Sequence, residues 1–157
     1  FFLLFFLILR YNYAINEKKR GIRMDHYLQE KHVVQRLVHE WKKYGKLIVA
    51  VDFDNTLFDY HNEGHSYENV ISLLRECRNL GAHLMIYTAR EDEELTFVRD
   101  YLDQQDIPFD TINEIPPYLP FKGKKLYYNI LLDDRAGLSS AYHALKQTIS
   151  IMKTEEK

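Results

Sequence analysis

At 157 residues, 46% apolar and 28% charged, with a net charge of −2, the chain has the make-up of one globular domain and is too short for two cores of ordinary size. Its lone cysteine, Cys77, excludes an internal disulfide and reads as a buried thiol in a reducing, cytoplasmic setting.

The first nine residues, FFLLFFLIL, are the one compositional break. They are too few to span a bilayer, which takes about 20 apolar residues. No basic segment precedes them and no small-residue cleavage site follows, so a signal peptide is not indicated either. The first Met is Met24, and every domain-like pattern lies after it, so residues 1–23 are expected to be a leader or non-native extension outside the fold, with residues 24–157 forming the single domain. The extension carries five basic residues (Arg10, Lys18, Lys19, Arg20, Arg23) against one acid (Glu17), which leaves 16 basic and 22 acidic residues and a domain charge of −6. An acidic domain without a basic run is poorly suited to tracking a nucleic-acid backbone, which relies on many Lys and Arg contacts to phosphate.

Over residues 25–44, Val34, Leu37, Val38 and Trp41 recur at steps of three and four before Gly45, which predicts an amphipathic helix. Residues 47–51 form a continuous aliphatic run, the pattern of a strand buried on both faces, and it ends at Asp52. Ser66 is placed to cap a helix carrying Val70, Ile71, Leu74 and Cys77, Gly81 closes it, and residues 83–87 make a second apolar strand ending at Thr88. A third helix begins with Glu91, Asp92, Glu93 and Glu94, acids that suit the positive end of a helix dipole better than a metal site, and turns Leu95, Val98, Tyr101 and Leu102 inward. A short strand over 109–112 follows Pro108, and then an irregular loop over 113–124 containing Pro116, Pro117 and Pro120. A fourth strand over 127–132 ends at Asp133 and Asp134, and a helix over 138–152 closes the chain, with Ala141, Leu145, Thr148, Ile149 and Met152 inward. This alternation predicts an α/β fold: a Rossmann-like parallel sheet with helices on both faces.

In such a sheet, functional groups gather at the carboxyl ends of the strands. Asp52 with Asp54, Thr88, and Asp133 with Asp134 all fall there. Four carboxylates at one edge repel one another unless a cation sits among them, and hard oxygen ligands suit Mg²⁺.

The segment LIVAVDFDNTLF resembles the first motif of the haloacid dehalogenase superfamily, a hydrophobic strand followed by Asp-x-Asp-x-Thr. LMIYT resembles the second motif and NILLDD the fourth, and their order and spacing match over residues 47–137. INE, the proline loop and YYNILLDDRAG are further similar to small capless members from phages and bacteria. The resemblance implies an Mg²⁺-dependent phosphatase of Rossmann-like fold. Asp52 would be the nucleophile that forms an aspartyl-phosphate, and Asp54 the group that protonates the leaving oxygen and then activates water. It implies metal ligation by the Asp52 carboxylate, the Asp54 backbone carbonyl and Asp133, with Asp134 adjacent, and a Thr88 hydroxyl donated to the phosphoryl group. Dehalogenating relatives lack an acid at the place of Asp54.

The third motif supplies a lysine, and Lys122, Lys124 and Lys125 all stand in the right region. Lys125 matches similar capless sequences, eight places before Asp133; eight extended residues span about 26 Å, so it reaches the site only if the strand is short and the preceding chain folds back. Asn55 stands where Gly is common, a mild departure because Asn tolerates positive φ. Thr56 reads as holding the turn or as touching substrate, Arg90 as meeting substrate or solvent, and His61 and His65 as loop residues within reach of substrate.

No cap domain fits between the motifs, so the site is expected to be open, admitting a large substrate or closed by its own loops or a neighbouring subunit. The 113–124 loop, with Tyr118 and Phe121, is either that wall or a plain crossover. The acidic domain favours a small phosphate ester such as a nucleotide over a nucleic-acid end. Two other classes compete: a receiver-type phosphoacceptor domain, in which the paired acids come at the first strand rather than last, and an interaction domain that keeps the fold without turnover.

Overall fold

The computed structural model describes residues 25–120 and 123–155, so the 1–23 extension, Phe121 and Lys122 lie outside the described residues. After a 3₁₀ turn at His26–Leu28, the elements run α1 (Glu30–Tyr44), β1 (Ile48–Val51), α2 (Glu68–Asn79), β2 (His83–Ile86), α3 (Leu95–Gln104), β3 (Thr111–Ile112), β4 (Ile130–Leu132) and α4 (Leu138–Glu155). The strands form one all-parallel sheet in the order β3-β2-β1-β4, a Rossmann-like α/β arrangement. No helix among the described residues is long and apolar enough to cross a membrane.

Every residue of β1 is buried, as a central parallel strand requires. Because side chains alternate between faces and register pairs Val49 with Leu84 and Ile130, those residues share one face with Val51, Ile86 and Leu132. That face gathers with Leu37 and Trp41 of α1, Leu74 and Cys77 of α2, Val98 and Leu102 of α3, and Leu145 and Ile149 of α4 into one core. Burial lifts the Cys77 thiol to about 12, so it stays neutral. Gly45 ends α1 in the left-handed conformation at φ 75°, and its N–H donates to Trp41 O at 2.8 Å.

Three local details differ from expectation. Tyr67, not Ser66, is the N-cap of α2: its carbonyl accepts the first helical bonds from Val70 and Ile71, while Ser66 Oγ only meets the Glu68 N–H at 3.5 Å. Both short strands begin later than their apolar runs, because a polar side chain occupies the ladder first. The Asp110 carboxylate accepts the Leu84 N–H at 2.7 Å ahead of β3, and the Asn129 amide oxygen accepts the Ile48 N–H at 2.7 Å ahead of β4.

Asn129 is buried and also donates Nδ2 to Glu40 at 2.9 Å, while its carbonyl accepts from Arg36 at 3.0 Å, tying α1, β1 and β4 together at the amino edge of the sheet. Asn129→Ala leaves the Ile48 N–H without its acceptor. The expected cost is about 1–3 kcal/mol, read as a lower urea midpoint at unchanged slope.

Candidate active site

The carboxyl ends of β1, β2 and β4 are laced together. The Asp52 N–H donates to Leu132 O and the Tyr87 N–H to Val51 O, each at 2.8 Å, so the residues that follow each strand emerge side by side. After β1 the chain turns sharply: Leu57 and Phe58 N–H both donate to Phe53 O at 3.0 Å, and Asn55 closes the turn in the left-handed region at φ 56°. Phe53 is fully buried in the core, which leaves Asp52 and Asp54 on either side of it to line the open edge. Thr56 is buried, and its hydroxyl accepts the Asp134 N–H at 3.2 Å, so it joins the β1 loop to the β4 loop instead of lining the site.

Asp52, Asp133 and Asp134 each offer a carboxylate oxygen, all within 4.8 Å of one another. Burial, followed by the charges of Asp133, Asp134 and Asp54, lifts the Asp52 carboxyl from its ordinary 3.8 to about 6 despite a stabilising bond from the Phe53 backbone. An all-oxygen set of crowded, mutually repelling carboxylates fits a small hard dication, which takes one or two such ligands and retains several waters.

Thr88 is buried at the end of β2 and is held by Asn113: the Thr88 N–H donates to Asn113 Oδ1 at 3.0 Å, and Asn113 Nδ2 donates to Thr88 O at 2.8 Å. Thr88 Oγ1 accepts the Arg90 N–H at 3.2 Å, and its own hydroxyl proton has no protein acceptor among the described residues. Arg90 turns to Asp54 rather than to solvent. Its Nε lies 3.3 and 3.1 Å from the two carboxylate oxygens and its Nη2 2.8 Å from Oδ1, while Nη1 pairs with Glu94 at 3.1 Å. The rings of Phe53, Phe58, Tyr60 and Phe97 surround its guanidinium at 5.2 to 5.7 Å, and the bonds to Asp54 raise its pKa further. Glu91 and Glu94 form the capping box of a 3₁₀ turn, Asp92–Glu94, that leads into α3, so the acidic cluster precedes the α-helix instead of forming its first turn, and Glu94 also reaches the cavity.

These groups line one open cavity of about 510 Å³, together with Tyr60, His61, Tyr87 and Arg135. Of the residues singled out in the sequence, Asp52, Asp54, Asn55, Thr88, Arg90, Glu94, Asp133, Asp134 and His61 come together here. Lys125 does not: it is exposed, precedes the point at which the chain joins the ladder at Asn129, and is absent from the cavity lining. His65 pairs with Glu63 outside the cavity. Tyr118 lies at the opposite edge, where its ring is 5.9 Å from that of His83, the first residue of β2, and it borders a separate cleft with Ile48 and Lys46. The proline loop is thus a crossover at Tyr118, not a wall of the site. Tyr60, Tyr87 and Arg135 were overlooked in the sequence; their only signal was adjacency to the first, second and fourth motifs.

No family model and no curated protein matches the chain. Among solved structures, a conserved protein from Bacteroides thetaiotaomicron is similar at TM-score 0.53 and 23% identity, over 71% of this chain and 93% of that one. A Vibrio cholerae protein is 26% identical over 71% of this chain and 98% of its own, at TM-score 0.37. The first likeness supports the α/β fold alone, and nothing rests on the second.

Proposed function

We propose that this chain is a phosphomonoester hydrolase of the haloacid dehalogenase type, dependent on Mg²⁺ and acting through an aspartyl-phosphate on Asp52. The observation that carries this reading is the meeting of Asp52, Asp133 and Asp134 within 4.8 Å at an open edge that also holds Thr88 and an Arg90-anchored Asp54. A receiver-type phosphoacceptor carries its paired acids at the first strand, whereas Asp133 and Asp134 follow the last strand here.

An Asp52 oxygen attacks phosphorus, forming an acyl-phosphate bond as the bond to the leaving oxygen breaks, and Asp54 delivers a proton to that oxygen. Asp54 then takes a proton from water, which attacks the same phosphorus and releases inorganic phosphate, returning Asp52 as a carboxylate. Thr88 would donate its hydroxyl to a phosphoryl oxygen, and Asp52 and Asp133, with Asp134 beside them and the Asp54 carbonyl, would hold the metal. Mg²⁺ supplies the charge that lets a carboxylate approach a phosphate dianion.

The acidic charge of the domain favours a small ester such as a nucleotide over a nucleic-acid end, with the exposed rings of Tyr60 and Tyr87 available to its leaving group. A panel of phosphate esters with and without Mg²⁺ tests this. Hydrolysis is expected only with the metal, and Tyr87→Ala should raise KM for an aryl or nucleoside ester several-fold while Tyr118→Ala leaves it unchanged. Equal activity in EDTA, or a KM that responds to Tyr118 alone, would refute the proposal as stated.

A further inference from the structure

Five carboxylates line the cavity (Asp52, Asp54, Glu94, Asp133 and Asp134), against two guanidinium groups, those of Arg90 and Arg135. A phosphate dianion entering this field needs cationic donors besides the metal. Arg90 is not free to serve. Its Nε and Nη2 are taken by Asp54 and its Nη1 by Glu94, with four aromatic rings around it.

Arg135 differs on each count. It is exposed within the cavity lining, and its side chain has no hydrogen bond or carboxylate partner among the described residues. Its backbone is nonetheless fixed beside the candidate metal ligands, because its N–H donates to Asp133 Oδ1 at 2.7 Å and the next N–H, of Ala136, donates to Asp133 O at 3.0 Å. The turn therefore places an unengaged, planar, permanently charged fork on the residue directly after Asp134, in the same cavity as Asp52 and Thr88, and a guanidinium suits bidentate binding of phosphate oxygens.

We infer that Arg135 is the phosphoryl-binding cation of this site, doing what the sequence resemblance assigned to Lys125. The inference rests on the hydrolase reading for its catalytic consequence, but its binding consequence is measurable alone. The test is calorimetric titration of the full chain with inorganic phosphate in the presence of Mg²⁺, beside steady-state hydrolysis of p-nitrophenyl phosphate, for wild type, Arg135→Ala, Arg135→Lys, Lys122→Ala and Lys125→Ala.

Arg135→Ala should weaken phosphate binding at least about tenfold and lower kcat/KM by about a hundredfold, the scale of losing one oxyanion donor. Arg135→Lys should recover part of both, because it keeps the charge but not the fork. Mg²⁺ affinity and melting temperature should not fall in either variant, which separates lost anion binding from lost structure. Phosphate binding unchanged in Arg135→Ala, or lost in Lys122→Ala or Lys125→Ala instead, would overturn the assignment while leaving the hydrolase reading intact. Arg135-dependent phosphate binding without any ester hydrolysis would uphold the assignment and sink the hydrolase reading.

Discussion

Asp52→Asn is expected to abolish hydrolysis and, in metal-free protein above pH 7, to raise the melting temperature. The first effect follows because an amide cannot form the acyl-phosphate. The second follows from the crowding of Asp52 by burial and by Asp133, Asp134 and Asp54, which lifts its carboxyl from 3.8 to about 6. Between those two values the folded protein binds more protons than the unfolded chain, so stability falls as pH rises through this window and the whole penalty is present above it. For a fully buried group the shift would correspond to about 3 kcal/mol; Asp52 is only half-buried, and solvent screening leaves about 1–2 kcal/mol. Removing the charge should therefore raise the melting temperature at pH 8 by about 2–8 °C, and by little near pH 4, where the wild-type carboxyl is mostly protonated. Mg²⁺ should stabilise the wild type at pH 8 and less so at pH 5, since the metal relieves the same repulsion. Thermal melts of both proteins across pH, with and without Mg²⁺, check every part. A variant no more stable than wild type at pH 8 would show that the acids are not in electrostatic conflict.

Asp54→Asn is expected to slow both formation and breakdown of the intermediate by at least about a hundredfold, the usual scale of lost acid–base catalysis. Its geometry adds a consequence that spacing alone does not. The carboxylate is gripped by Nε and Nη2 of Arg90, so the amide leaves a largely buried guanidinium with one carboxylate, Glu94. The variant should lose stability as well as rate, whereas Asp52→Asn gains it in the absence of metal. Rapid-quench mixing with an alkyl phosphate, whose alkoxide leaving group needs the proton, separates the two half-reactions: the burst of alcohol and the steady rate should both slow. A normal burst followed by a slow steady state would confine Asp54 to the second step.

The sheet and its acids were legible because both are written locally. A continuous aliphatic run from Leu47 to Val51 has one reading once helical patterns flank it, and an acid at its end can only fall at the carboxyl edge of a parallel sheet. Asn55 in the left-handed region was readable for the same reason, since few side chains tolerate that backbone. The starts of β3 and β4 were not readable, because Asp110 and Asn129 replace ladder bonds with side-chain bonds, and apolar character carries no trace of that.

The course of the 113–124 connection was equally hidden. It has no period, so nothing in its residues said that Tyr118 would lie against His83 at the amino edge or that Lys125 would stay out of the cavity. Arg90 was noticed beside Thr88, but its partner Asp54 lies 36 residues away, and only folding brings the two within 2.8 Å. His61 and His65 looked alike as loop residues; one lines the cavity and the other turns to Glu63.

The central claim, that Asp52 carries the phosphoryl group, is tested most directly by acid-quenching the protein during turnover of a phosphate ester with Mg²⁺ and reducing it with borohydride, which converts an acyl-phosphate to an alcohol. Peptide mass spectrometry should then find homoserine at position 52, and only when substrate and metal are both present. Turnover with no modified residue at position 52, or with phosphate trapped on His61 instead, would contradict the aspartyl-phosphate mechanism.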